Sequence, residues 1–415
     1  MKKMSKFTKA ILSFVLACSL SASVVYAEDQ PAAPAAPDAA AAAAPAPPVT
    51  GDTKAAGLTL ADIKNWLGVS IYLQGGYTYN FENPDSQENG LRVFDHKANS
   101  FTLDLAELLF NKDAATGGVG YRLKLSAGET AKFIHASGLG NSDNPIDLTE
   151  AYISYIAPLG QGLKFQFGKF VTFTGAEVIE ARDNMNYSRG LLFNYAIPIT
   201  HTGLMVGYPF SDKLSANIYV VNGWDNFDDE GSSKTLGLNI NITPADQFSA
   251  VINFLDGREK DLQTGVESER FLSDTIITVK PVKNLTFVIN PDYATQSRSA
   301  VNGKDAKWYG VAGYIKYDFS DLFSSTIRAE YFKDDNGARI IPLAVRSDMT
   351  PLLPAGTGVT AKEITFTPEF RLVKDFIVRP EYRHDWDNQT VFDSHRSSLN
   401  KKSQDTVALG VIYTF

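Results

Sequence analysis

The sequence predicts an all-β protein, a transmembrane antiparallel β-barrel of about 16 strands that occupies residues 68–415. Three observations carry this. Apolar residues alternate with small or polar ones over stretches of roughly 10 residues, the length a tilted strand needs to cross a bilayer. The connections between stretches alternate short and long. The last stretch, 405–415, puts Val407, Leu409, Val411, Tyr413 and Phe415 on one face. Thr406, Ala408, Gly410 and Thr414 share the other, with Ile412 as its one large apolar residue.

From the N-terminus, Lys2, Lys3, Lys6 and Lys9 precede an apolar run at 10–18, and Val25-Tyr26-Ala27 offers small residues to a signal peptidase. Residues 1–27 therefore read as a signal peptide cleaved after Ala27, which directs the chain to export. Cys18 is the only cysteine, so the exported chain would have no disulfide, thiolate metal site, Cys-x-x-Cys-His haem attachment or thiol chemistry. Removing four lysines and no acid takes the net charge from −8 to −12, from 35 basic and 47 acidic residues, which argues against a nucleic-acid partner. Residues 28–57 are rich in Ala and Pro and read as an extended periplasmic spacer. Residues 58–67 have the pattern of a short amphipathic helix, with Trp66 beside the first strand.

Strand patterns begin at Val69, where Val69, Ile71, Leu73, Tyr77, Tyr79 and Phe81 share a face. The second, at 99–110, slips phase near Glu107, the mark of a bulge. The third, at 117–128, sets Val119, Tyr121, Leu123 and Leu125 against Gly120, Arg122, Lys124 and Ser126. The others lie near 147–157, 162–172, 201–210, 213–223, 234–243, 247–256, 270–281, 284–294, 307–319, 323–333, 361–373, 375–386 and 403–415. Long connections fall near 82–98, 129–146, 173–200, 224–233, 257–269, 295–306, 334–360 and 387–402. Short periplasmic turns alternating with longer outer loops are what a membrane barrel requires, and a soluble sandwich has no reason to sort loops this way. Trp224, Trp308 and Trp386 fall at long-loop ends; Phe210, Phe319, Phe323, Phe376, Tyr413 and Phe415 fall at short-turn ends. Two aromatic girdles would produce this, although Trp308 lies in the inward phase.

The five histidines share no metal-ligand spacing, and no nucleophile motif, phosphate loop or nucleotide fingerprint is present, so the sequence predicts no cofactor, metal site or catalytic activity.

L-T-E-A-Y-I-S-Y (148–155), L-K-F-Q-F-G-K-F (163–170), G-A-E-V-I-E (175–180), N-Y-S-R-G (186–190) and V-V-N-G-W-D-N (220–226) are similar to stretches of the second β-barrel porin family (OmpL-like) of diderm bacteria. The resemblance covers most of residues 60–415. It implies a diffusion pore in the outer membrane, and names no substrate. The last strand resembles the closing strand and assembly signal of outer-membrane barrels, which implies recognition by the barrel-assembly machinery. Expected partners are outer-membrane lipid and lipopolysaccharide, small hydrophilic solutes and ions and, by resemblance to sixteen-strand porins, two further copies in a homotrimer.

The third long loop, 173–200, carries Glu177, Glu180, Asp183, Arg182 and Arg189, with Asn184, Asn186 and Tyr187 nearby. In sixteen-strand porins the third loop folds inward and narrows the pore. Alternation turns eleven cations inward: Arg122, Lys124, Lys164, Lys213, Arg270, Lys280, Lys316, Arg328, Arg371, Arg379 and Arg383. Ten anions, Glu330 and Glu381 among them, point the same way, which predicts a wet lumen of mixed charge. The wall opposite the third loop lies between strands 13 and 14. Acidic Glu177 and Glu180 are thus expected to face Arg328, Arg371, Arg379 and Arg383, giving a weak selectivity. Two other readings stay open: a structural or adhesion barrel plugged by its loops, and a sheath around a periplasmic partner such as a haem protein.

Overall fold

Sixteen antiparallel strands close on themselves in the computed structural model, which describes residues 66–415 apart from 142, 230, 232, 344–352 and 396. The signal peptide, the spacer and most of the 58–67 helix lie outside the described residues. The wall runs β1 (Val69–Asn80), β2 (Ser100–Lys112), β3 (Val119–Ala127), β4 (Ile146–Ala157), β5 (Leu163–Val171), β6 (Thr200–Ser211), β7 (Leu214–Val221) and β8 (Thr235–Ala245). It continues through β9 (Phe248–Lys260), β10 (Glu267–Val282), β11 (Leu285–Gln296), β12 (Ala306–Asp318), β13 (Phe323–Asp334), β14 (Val359–Val373) and β15 (Phe376–Asp387). A small hairpin, β16 (Phe392–Ser394) with β17 (Ser397–Lys401), precedes the closing strand β18 (Ser403–Thr414).

Closure is made by β1, which pairs with β2 on one side and β18 on the other. Tyr77 lies opposite Phe101 on β2 and opposite Leu409 on β18. Past the end of β18, Phe415 exchanges two 2.9 Å backbone hydrogen bonds with Ile71. A closed ladder leaves no edge of unpaired N–H and C=O groups, the condition for a sheet in hydrocarbon.

Side chains alternate as the period of two requires. On β3, Leu123 and Leu125 are exposed on the outer face while Lys124 and Ser126 are buried inside. The phase slip on β2 is a bulge, three residues before the expected place. Gln74 faces Leu105 and Gly75 faces Leu103, so Asp104 is the extra residue. Thr149 is bulged in the same way on β4. Each bulge brings two successive side chains to the inner face.

Two expectations about the strand ends change. The connection at 257–269 is only 261–266, no longer than the turn at 113–118. The β9–β10 ladder runs on to Lys260↔Glu267, supported by a 3.0 Å ion pair from Arg258 to Glu267. Trp224 and Trp308 also leave the girdle: both are buried inside the mouth, edge to face at 6.2 Å. Trp308 Nε1 donates to the Ala196 carbonyl at 3.0 Å, which explains its inward phase. Trp386 stays outside, against His384 at 5.2 Å.

The lumen is not uniformly wet. Its upper half holds an apolar core in which loop residues Leu91, Phe94, Leu191, Leu192, Phe193, Tyr195 and Ile340 pack against wall residues Leu255, Leu272, Trp308 and Phe332. Burying each such side chain favours the inserted loops by roughly 1.5–3 kcal/mol.

Candidate functional site

The third loop, between β5 and β6, crosses the whole lumen. An irregular chain at membrane depth has to satisfy its backbone groups within the protein, and the wall supplies the partners. Near the start, Gly175 N–H donates to Asp274 of β10 and Ala176 N–H to Asn290 of β11, each at 3.0 Å. At the far wall, Arg379 of β15 donates to the carbonyls of Ala181 (2.5 Å), Asn184 (2.8 Å) and Asn186 (2.9 Å). Glu381, two residues on, accepts from Tyr187 N–H at 2.8 Å and Ser188 N–H at 3.1 Å. Arg383 donates to the Arg189 carbonyl at 2.7 Å, and Leu191 N–H donates to Glu330 of β13. A turn of π-helix, Leu192–Ala196, then leads back towards β6.

Of the loop acids and wall cations expected to face each other at the constriction, the structure brings Glu177 and Arg328 together. Arg328 donates to Glu177 at 2.7 Å, to Glu363 at 2.8 Å and to the Ser188 carbonyl at 2.8 Å, and is fully buried. Glu177 and the basic wall are therefore in contact, with no water layer between them. Glu180 does not face that wall. It pairs with Lys124 of β3, which also reaches Glu150 at 3.0 Å, and Arg122 holds Glu150 at 2.6 Å. Arg379 and Arg383 are likewise buried against loop carbonyls. Arg189 turns into its own loop, donating to the carbonyls of Tyr187 (2.6 Å) and Ile179. Arg371 stands apart near the short-turn end of β14, paired with Glu369 at 2.6 Å. Arg182 and Asp183 pair with each other at 3.1 Å and remain half exposed.

Two cavities flank the loop among the described residues. A lower one, about 180 Å³, is lined by Glu107, Arg122, Lys124, Glu150, Glu180, Arg182 and Asp183 towards the short turns. An upper one, about 640 Å³, opens among the long loops and is lined by Phe94, Trp224, Glu259, Arg270 and Arg339. Ile199 borders both; Phe193 lines the lower and Asn194 the upper.

Three participants have roles that the sequence does not assign. Tyr187 anchors the loop tip by donating to Asp104 at 2.6 Å. Glu381, inward by alternation, acts as an acceptor for the loop backbone. Arg92, on the first loop, reaches Asp385 of β15 at 2.7 Å. The clue to Tyr187 was present, since Gly76 and Gly410 are inward residues of the two strands that close the barrel and lie opposite each other.

The family model described as "Putative beta-barrel porin-2, OmpL-like" matches residues 67–415. The chain belongs to this family. It is an outer-membrane β-barrel channel protein. No curated protein sequence matches it. Its fold is similar to that of solved porins at low identity. The outer membrane channel DcaP of Acinetobacter baumannii is 14% identical, with a TM-score of 0.55 over 84% of this chain and 96% of that one. The anion-selective porin from Comamonas acidovorans is 10% identical, with a TM-score of 0.57 over 84% and 98%. Salmonella typhi OmpF, solved in complex with daunomycin, is 14% identical, with a TM-score of 0.55 over 84% and 97%.

Proposed function

We propose that the protein is a passive channel for small hydrophilic solutes and ions, with a weak ion preference set around the third loop. The observation that carries this reading is the pairing of loop acids with wall cations: Glu177 with Arg328 and Glu180 with Lys124. Compensated pairs produce only a short-range field, so the preference is weak and is decided by the more exposed pairs around the lower cavity, Arg122 with Glu150 and Arg182 with Asp183. In this reading solute passes Ile199, which borders both cavities, on the side of the lumen away from the β13–β15 anchor. A homotrimer fits the channel reading, since OmpT of Vibrio cholerae has been solved in a trimer form. In the same reading the signal peptide is cleaved after Ala27, residues 28–57 form the spacer, and the assembly machinery reads the strand ending at Phe415. Lipid and lipopolysaccharide meet the apolar outer face.

The filled midsection favours a second reading, a structural or adhesion barrel whose loops plug it. A sheath around a haem protein is disfavoured by the same packing, because it needs an open lumen. Conductance of the purified, folded chain in a planar bilayer decides between them. Stepwise openings in KCl, with a small zero-current potential in a salt gradient, are expected of the channel. A folded protein that stays silent is expected of the plug.

A further inference from the structure

The upper cavity contains a feature apart from the β13–β15 anchor of the third loop. Arg270 of β10 and Arg339 of the loop after β13 are both buried, and neither has an ion pair among the described residues. They stack instead on tryptophan. Arg270 Cζ lies 4.8 Å from the Trp224 ring centre, and Arg339 Cζ lies 5.3 Å from Trp224 and 5.6 Å from Trp308. The guanidinium groups donate to neutral acceptors, Gln296 and the Lys260 carbonyl for Arg270 and the Tyr195 carbonyl for Arg339, while Asp334 accepts from the backbone N–H of Arg339.

The acids nearby are turned elsewhere. Asp225 accepts from the N–H groups of Ile199 and Thr200, Glu259 from Trp224 N–H and the Thr235 hydroxyl, and Asp261 from the N–H groups of Gln263 and Thr264. Burial, with the Arg270 charge behind it, holds the Arg339 guanidinium down to about 10, the sign of a cation whose charge is incompletely met. Buried charges are normally paired, and an arginine fork presents N–H groups in the geometry that carboxylate and phosphate accept. Beside the two forks the cavity is lined by apolar and aromatic Phe94, Phe133, Trp224, Ile197 and Leu262, and by Asp225, Glu259 and Asp261, whose carboxylates take those backbone and hydroxyl donors. Its volume of about 640 Å³ falls among the roughly 300–1,000 Å³ of small-molecule sites.

We propose that the upper cavity binds a small organic anion, a carboxylate on a flat aromatic or apolar body, whose charge is taken by Arg270 and Arg339 and whose body lies against Trp224 and Phe94. It deepens the channel reading, on which it rests for its purpose, by giving the outer mouth a capture site for anionic solutes.

The test titrates the purified full chain in detergent with benzoate and with benzyl alcohol, its neutral counterpart, and follows tryptophan fluorescence. Benzoate is expected to saturate the signal and benzyl alcohol to bind at least tenfold more weakly. Arg270→Gln and Arg339→Gln should each raise the benzoate Kd tenfold or more, with Arg339→Lys in between. Equal binding of acid and alcohol, or an unchanged Kd in both glutamine variants, overturns the proposal. Should a variant fail to fold, the unaltered protein still decides: benzoate added at the long-loop side should interrupt single-channel current and benzyl alcohol should not, and equal effects overturn the site. The two readings fail separately. Saturable benzoate binding in a protein that never conducts KCl defeats the channel and leaves the site. KCl conductance without benzoate binding defeats the site and leaves the channel.

Discussion

Arg328 on β13 and Glu177 on the third loop form a 2.7 Å ion pair inside the barrel, both side chains shielded from water. Glu363 shares the same guanidinium at 2.8 Å, and Glu330 lies two positions along the strand. Arg328→Gln would leave this group of carboxylates without its cation, and breaking a buried pair in this way costs about 3–5 kcal/mol. The loop should detach there, so single-channel conductance should rise at least twofold with a shift towards cations. Glu177→Gln should do less, because Arg328 keeps Glu363 and the Ser188 carbonyl. Equal, unchanged conductance in both variants would mean the loop does not limit the current.

At the lower cavity the prediction has the opposite sign. Glu180→Gln removes one of two carboxylates on Lys124 and leaves Glu150 with Lys124 and Arg122. The zero-current potential in a salt gradient should move towards anion preference. The shift should be clear near 0.1 M salt, where the Debye length is ~10 Å, and should fade near 1 M, where it is ~3 Å. A shift that persists at high salt would point to a change of pore shape.

The outer face gives a test of phase. Leu123 is exposed to lipid on β3, and Leu123→Arg places a charge near the bilayer midplane at about 2–4 kcal/mol. Inward, half-buried Lys164 near the short-turn end of β5 is the comparison. On a heat-modifiability gel, folded yield should fall for Leu123→Arg and hold for Lys164→Glu. Lys124, the inward neighbour of Leu123, is unsuited to the comparison because it is buried against Glu180 and Glu150.

The first loop carries a pH response. Burial, then the neighbouring Lys97 charge, holds the His96 imidazole down to about 4, against the pull of Glu129 at 3.7 Å. Its ring packs on Phe133 of the second loop at 4.8 Å. With the loop open the group returns to about 6.5. The open form thus binds more protons between those values, and the contact is fully stable above the open-state pKa and weakens as pH falls towards 4. The loss near pH 5 is on the order of 2 kcal/mol. Hydrogen exchange in 82–99, corrected for intrinsic rates, should quicken from pH 7.5 to 5, and His96→Gln should flatten the change.

Much of the barrel was legible because its signal is local. Alternation, loop parity and the closing strand depend on neighbours along the chain, and β9 and β10 were misjudged only where the ladder outran the apolar pattern. The charges were a different matter. Alternation correctly turned Arg328, Arg379, Arg383, Glu330 and Glu381 inward, but their partners are loop groups more than 100 residues away. Inward charge read as a wet wall is here largely a set of donors and acceptors for an inserted backbone. Trp308 shows the same limit: its phase was right, and its partner, the Ala196 carbonyl, could not be known from β12 alone.

The seat of the loop tip was also written in the sequence, as small residues whose reason was not apparent. Gly76 and Gly410 face each other across the β1–β18 seam, and Tyr187 lies over both, with its hydroxyl on Asp104. A Cβ at Gly410 would fall 2.7 Å from the Tyr187 Cγ, and one at Gly76 would fall 2.7 Å from Cζ, closer than carbon atoms pack. Gly410→Val should therefore leave the ladder intact, since β-branched residues suit strands, while it displaces the ring and breaks its bond to Asp104. Overpacking of this kind costs about 1–3 kcal/mol. The expected outcome is normal folded yield with larger and noisier single-channel conductance. Tyr187→Ala should give the same phenotype by removing the ring. Because both changes act on one contact, the double variant should match Tyr187→Ala and not add to it. Additive increases in conductance would mean that Gly410 shapes the pore by another route and that Tyr187 does not hold the loop at this seam.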